Sequence, residues 1–401
     1  MSTGSHPHSI VKLTLIAALV ATTALAGPML ARAAFLDFVE VQIEGAAGVY
    51  GLAGVLSVVV SPDGQNVYAA GGSDSAVAVF HRDAATGALT LLEVQKDGVD
   101  GVDGLAFASA LALSPDGAYL YVAGSNDSAV AVFRRDATTG ALSFVEAQKN
   151  GVAGVDGLAF ARAVAVSPDG SHVYVAGQQD SAVAVFRRNA LTGWLTFVEV
   201  QRQGVGGVDG IAGPLALTFS PNGAHLYVAA GSQNAVTVFT RNATTGRLTL
   251  TAVEREGASD LGLSGIHSVA VSPDGAYVYA AGQADSAVGI FRRDKRTGAL
   301  TFTDIVAQGF DGVDGLYGAL WVTLSPDGAQ AYVASTHDNA LAVFTRDKGT
   351  GALTFVEKQE GGPNRPCLAF ARGAAVSPDG KSVYVAGASS NAVAVFRVVG
   401  E

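Results

Sequence analysis

Beyond residue 33, short apolar runs alternate with tight turns, and no long stretch carries the 3.6-residue period of a helix. The segment around Ser114 shows the grammar. Leu111-Ala112-Leu113 is a short apolar run. Ser114-Pro115-Asp116-Gly117 is a turn: proline presets φ, aspartate bonds back to the backbone and glycine accepts positive φ. Tyr119 to Ala123 is aromatic and β-branched, hence a strand. A turn at Gly124-Ser125-Asn126-Asp127 leads to a third strand, Ala129-Val130-Ala131-Val132-Phe133. A turn at Arg135 to Gly140 then leads to a fourth, Leu142 to Ala147, with polar residues alternating outward. A glycine-rich link, Gly151 to Gly157, follows.

This unit recurs seven times. Ser-Pro-Asp-Gly begins at Ser61, Ser114, Ser167, Ser220 (with Asn in place of Asp), Ser272, Ser325 and Ser377, at intervals of 52 or 53 residues. Four antiparallel strands per unit of about fifty residues describe a propeller blade. The expectation is an all-β, seven-bladed β-propeller over residues 34–401. The 50 glycines fall mostly in its turns, so their number does not signal disorder.

The chain ends predict closure. Thr-Gly-x-Leu plus a fourth strand appears only six times, and the last copy stops at Val393-Ala394-Val395-Phe396. Phe35-Leu36-Asp37-Phe38-Val39-Glu40-Val41-Gln42 reads like the missing piece, by comparison with Leu195-Thr196-Phe197-Val198-Glu199-Val200-Gln201. An N-terminal strand that completes the last blade removes an exposed sheet edge.

Residues 1–33 read as a secretory signal. Lys12 precedes an apolar stretch, and Ala31-Arg32-Ala33 has the Ala-x-Ala form of a cleavage site. The stretch is too short for a membrane span and ends in Gly27-Pro28. A secreted or periplasmic protein without a span is expected. Loss of Lys12 and Arg32 takes the formal charge from −10 to −12, which disfavours nucleic acid as a partner. The single cysteine, Cys367, excludes an internal disulfide. A monomer is expected, since each blade needs only its neighbours.

Ser-Pro-Asp-Gly-x-x-Val-Tyr-Val-Ala and Asn-Ala-Val-Ala-Val-Phe resemble the YVTN-type repeats of exported propellers. They also resemble the seven-bladed lactonase family, which includes 6-phosphogluconolactonase. The resemblance implies the fold over essentially the whole mature chain. That family carries ring-top segments of the Gly-Pro-Arg-His kind, and no such string occurs here. The activity therefore does not follow from the repeats.

Candidate chemistry lies where the copies differ. Arg82, Arg135, Arg188, Arg241, Arg293 and Arg346 repeat, as do the Ser-Pro-Asp-Gly aspartates. An Arg–Asp pair or an Arg-to-carbonyl bond within each blade accounts for both series. Five residues before each repeat serine stand Leu56, Ser109, Arg162, Leu215, His267, Leu320 and Arg372. This is the register of the channel-lining strand. Arg162, His267 and Arg372 break a leucine pattern and suit a carboxylate, a sugar acid or a lactone carbonyl. Ser109, Arg365 and His337 join them as candidate ligand-binding residues. Alternatively, each arginine pairs with a link aspartate, such as Asp156 or Asp209. Asp103, Asp156, Asp209 and Asp314 occupy equivalent links. They either ring the channel mouth as oxygen ligands for Ca2+ or serve as turn formers. No cofactor is required.

The expected function is an exported module that binds a protein, a polysaccharide or a small anionic ligand at the top of the channel. The alternative is a lactonase-like hydrolase that opens a sugar lactone or related cyclic ester, with Arg162, His267 and Arg372 at the site and a link aspartate as base. A Ca2+-stabilised surface-layer or adhesion module is a third reading.

Overall fold

The computed structural model describes residues 35–257, 261–362 and 367–400. The expected signal, 1–33, and the candidate Arg365 lie outside the described residues. Residues 34–401 form one compact unit.

Among the described residues, twenty-eight strands make seven four-stranded antiparallel sheets. Six sheets follow chain order, as successive hairpins require. In the seventh, Leu36–Ile43 lies outside Ala392–Val398, which pairs with Ser382–Gly387 and then Ala371–Val376. Val41 faces Ala394, and a bulge falls between Phe38 and Glu40. Other outer strand pairs carry a bulge at the same place, between Val79 and Phe80 and between Val132 and Phe133, for example. The N-terminal strand thus reproduces a fourth strand down to its irregularity. Each innermost strand packs on the next, and Ala371–Val376 packs back on Val55–Val60. That closes the ring.

The apolar cores lie between blades rather than within them. One cluster joins Tyr68, Val77 and Val79 of the first blade to Leu105, Leu120 and Phe133 of the second. Another joins Tyr384, Val393 and Val395 of the last blade to Leu52, Val67 and Phe80 of the first. A sheet this thin has no interior, so each blade must bury its faces against two neighbours. The tyrosines Tyr68, Tyr121, Tyr174, Tyr227, Tyr279, Tyr332 and Tyr384 are fully buried.

Polar locks accompany these cores. Arg135 Nε donates to Tyr68 Oη at 2.7 Å, and its Nη1 donates to the Gly117 carbonyl at 3.3 Å. Its Nη2 meets Asp63 at 2.7 Å. The carbonyl bond stays within the blade, as expected. The aspartate pair does not: it crosses to the preceding blade, because the turn of one wedge faces the third strand of the next. Arg82–Asp379, Arg188–Asp116, Arg241–Asp169 and Arg346–Asp274 repeat the crossing at 2.7–3.0 Å. Where Asn222 replaces the aspartate, Arg293 turns to His225 Nδ1 at 2.8 Å. Glutamates of the outer strands add a second link. Glu40 accepts from the Leu89 N–H at 2.7 Å, and Glu357 accepts from the Leu36 N–H at 2.9 Å.

Two outcomes follow. Deleting residues 35–43 strips the last blade to three strands and bares the Ala392–Val398 edge. Cooperative melting should be lost, with aggregation on size-exclusion chromatography. Acid should loosen the seams. Burial alone raises Asp169, but bonds from Ser167, the Ser171 N–H and Arg241 outweigh it and hold the carboxyl down to about 2. An unfolded aspartate titrates near ~3.9. Because the folded value is depressed, the contribution is present above about pH 4 and disappears as pH falls through about 2. Melting scans from pH 5 to pH 2 should show this fall, with a shallower slope in Asp169→Asn.

Candidate functional site

The innermost strands Ala161–Val166, Ile266–Val271 and Ala371–Val376 belong to blades three, five and seven. Each puts its second residue toward the channel: Arg162, His267 and Arg372. All three line one cavity of about 90 Å³, with Leu56, Ser109, Leu215, Leu320 and Trp321. Arg372 Nη2 lies 3.2 Å from His267 Nε2. Its guanidinium also sits over the Phe370 ring, 5.5 Å from the centroid. His267 Nδ1 is buried with no hydrogen-bond partner.

The electrostatics are one-sided. Among the described residues, no carboxylate forms an ion pair with Arg162 or Arg372, and none lines the cavity. Desolvation first, and then the charge of Arg162, lower the Arg372 pKa to about 10. Desolvation also lowers Arg162. His267 is held well below its ordinary value by desolvation first, then by Arg372 and Arg162. The imidazole is therefore neutral at pH 7. All three residues are half-buried. Two guanidiniums in a narrow, weakly screened space attract an anion strongly.

The expected Arg–Asp neutralisation at the channel does not occur. Asp156 pairs with Arg202 at 2.7 Å, and Asp209 pairs with Arg255 at 2.6 Å. Asp103 holds Lys149 and Asp314 holds Lys358, each at 2.7 Å. These cations stand on the outermost strands, the far side of each blade from the channel. Asp156, Asp209 and Asp314 also accept the N–H of the glycine that follows, at 2.8 Å. They are turn formers with a private cation, and they do not meet one another. Asp103 instead approaches Asp97 and Asp127, a trio that Lys149 already neutralises in part.

The remaining candidates separate. Ser109 lines the cavity, but its hydroxyl is taken by the carbonyls of Ala123 and Ala161 at 3.1 and 3.0 Å. It ties blade two to blade three. His337 is exposed and stacks on Tyr317 with ring centroids 4.8 Å apart, outside the cavity lining.

Two features escaped the repeat comparison. Trp321 lines the cavity from a register where the other copies hold Ser57, Ala110, Ala163, Ala216, Ser268 and Gly373. Aligning the fourth residue before each repeat serine reveals it. The pentapeptide Leu-Ala-Phe-Ala-Arg also occurs twice, at Leu158–Arg162 and Leu368–Arg372. Phe107, Phe160 and Phe370 have φ of +56°, +53° and +57°, at a position where Gly54 and Gly213 stand in other blades. A bulky residue there costs on the order of 1–3 kcal/mol. The strands that carry Ser109, Arg162 and Arg372 thus enter the ring on strained backbone.

Comparison with known proteins agrees with this architecture. The chain is 25% identical over 341 residues to a 6-phosphogluconolactonase of Klebsiella pneumoniae, covering 84% of this chain and 92% of that protein. A crystal structure of a putative 6-phosphogluconolactonase from Bacteroides uniformis superposes with a TM-score of 0.66 at 22% identity, over 86% of this chain and 92% of that one. The periplasmic gluconolactonase PpgL of Pseudomonas aeruginosa superposes with a TM-score of 0.62 at 21% identity, over 76% and 85%. At such identities the structural likeness is one of fold. The family model described as Lactonase, 7-bladed beta-propeller matches residues 57–209 and 311–401, more than half of the chain. With seven four-stranded blades closed by its own N-terminal strand, the chain belongs to the seven-bladed β-propeller lactonase family.

Proposed function

We propose that the protein binds a small carboxylate, of the sugar-acid or hydroxy-acid class, in the channel between Arg162, Arg372 and His267. One observation carries this reading: two guanidiniums face a shared cavity with no carboxylate among the described residues to neutralise them. The desolvation cost of such a pair is offset by a bound anion. The cavity of about 90 Å³ is smaller than pockets for drug-sized ligands, roughly 300–1,000 Å³. It suits a compact anionic head, with the rest of the molecule lying along the channel. The export reading of residues 1–33 places this binding in the periplasm or outside the cell.

A hydrolytic reading is favoured by the neutral His267 and by the relatives named as gluconolactonases. His267 accepts a proton from water as that water attacks a lactone carbonyl. The guanidiniums hold the oxyanion. The ring C–O bond then breaks, and the leaving alkoxide takes the proton back. The product is a hydroxy acid whose carboxylate rests between the same arginines. The link aspartates take no part, since each is held at an outer strand.

Isothermal calorimetry with gluconate and related sugar acids tests binding. Arg162→Ala and Arg372→Ala should each weaken it about tenfold or more, as loss of a charge-assisted bond implies. A panel with no binding to the unmodified protein removes the proposal. A lactone-opening assay separates the second reading. His267→Ala should abolish turnover while leaving carboxylate binding within a few-fold. Turnover unchanged in that variant excludes His267 as the base.

A further inference from the structure

Blade six departs from the other copies where it meets the channel and its rim. Four residues before its repeat serine it carries Trp321, where the others hold serine, alanine or glycine. Eight residues before that serine it carries Tyr317, where the others hold alanine or serine. Twelve residues after it stands His337, where the others hold serine, asparagine, glutamine or alanine. Each replacement puts an aromatic ring in the place of a small or polar side chain.

The outer two rings are preset. The His337 N–H donates to the Tyr317 carbonyl at 3.2 Å, and the Tyr317 N–H donates to Asp338 at 2.8 Å. The two rings lie 4.8 Å apart at 48°, and both residues are exposed. Gly318, at φ +75°, lets the imidazole lie against the backbone, since a Cβ there would stand 2.6 Å from His337 Nδ1. Thr336 Oγ1 ties the turn down: it donates to the Gly318 carbonyl at 3.1 Å and accepts from Gln283 of blade five at 3.2 Å. From Tyr317 the chain runs into the innermost strand Ala319–Leu324, which brings Leu320 and Trp321 to the cavity. Four residues separate Tyr317 from Trp321, a span of about 14 Å or less. This strand packs between those of His267 and Arg372, whose side chains meet at 3.2 Å. Charged and aromatic groups thus occupy one sector of the ring.

We propose that blade six extends the binding site to the rim and selects a carboxylate that carries a further sugar ring. The inference rests on the reading that the channel arginines bind a carboxylate. The cavity of about 90 Å³ takes the acid head, and the rest of the ligand leaves along the channel. On blade six it passes Trp321 and then reaches the Tyr317–His337 pair. A pyranose has a face of C–H bonds, which packs on the negative face of an aromatic ring. Its hydroxyls, pointing outward, keep their water at an exposed pair. The same three registers in the other blades offer no ring, so the sugar is directed to one side of the channel. A bare sugar acid fills only the inner half of this site.

Isothermal calorimetry with gluconate and with lactobionate, a gluconate bearing a galactose ring, tests the extension. Lactobionate should bind the unmodified protein about tenfold or more tightly, the worth of one good aromatic contact. Tyr317→Ala and His337→Ala should each bring lactobionate to within a few-fold of gluconate and leave gluconate unchanged. Tyr317→Phe should keep the preference. Trp321→Ala should weaken both acids. Trp321 is one of two tryptophans, and the other, Trp194, is exposed in a turn of blade three. In Trp194→Phe the remaining indole should therefore shift its emission when either acid binds, a readout that needs no change at Trp321. Equal affinity for the two acids, or a preference untouched by Tyr317→Ala, overturns the extension and leaves the carboxylate reading standing. Binding of neither acid overturns both. Unshifted emission at saturating lactobionate removes Trp321 from the path and overturns the route along blade six.

Discussion

No blade of this protein can stand alone. Each is a single twisted sheet, and both of its faces are apolar where they meet a neighbour. A sheet in this position gains burial only if the next sheet is present, and the last gains it only if the ring closes. Closure is thus the constraint on which the rest depends. It explains why the N-terminal strand travels to the last blade, and why even its bulge and its glutamate contacts copy those of other outer strands.

Closure also makes the site. Arg162, His267 and Arg372 lie more than a hundred residues apart in successive pairs, and no local interaction brings them together. The ring does, by aligning the same register of blades three, five and seven on one axis. The narrow channel then does the electrostatic work. It buries these groups beside one another, which lowers Arg372 and holds His267 neutral. The same groups on an open surface would be screened and ordinary.

Charge is distributed by depth. Arginines at the seams find aspartates, tyrosines and carbonyls, and their role is to join blades. Link aspartates find lysines and arginines on the outer strands. The two channel arginines share one cavity and form no ion pair among the described residues. Buried charge left unbalanced indicates a position kept for something other than stability.

The blade count, the strand pattern and the closing strand were legible in the sequence, because turn chemistry and apolar alternation act over a few residues and repeat at a regular interval. The candidate trio was legible too, as exceptions in one register. The partners were not. Local spacing could not tell whether Asp156 pairs with Arg162 or with Arg202, nor that the seam arginine reaches the blade before its own. Nor could it show that Trp321 borders the cavity. Which faces meet across a seam, and which charges share a channel, depend on distances that arise only when the seven sheets are packed around one axis.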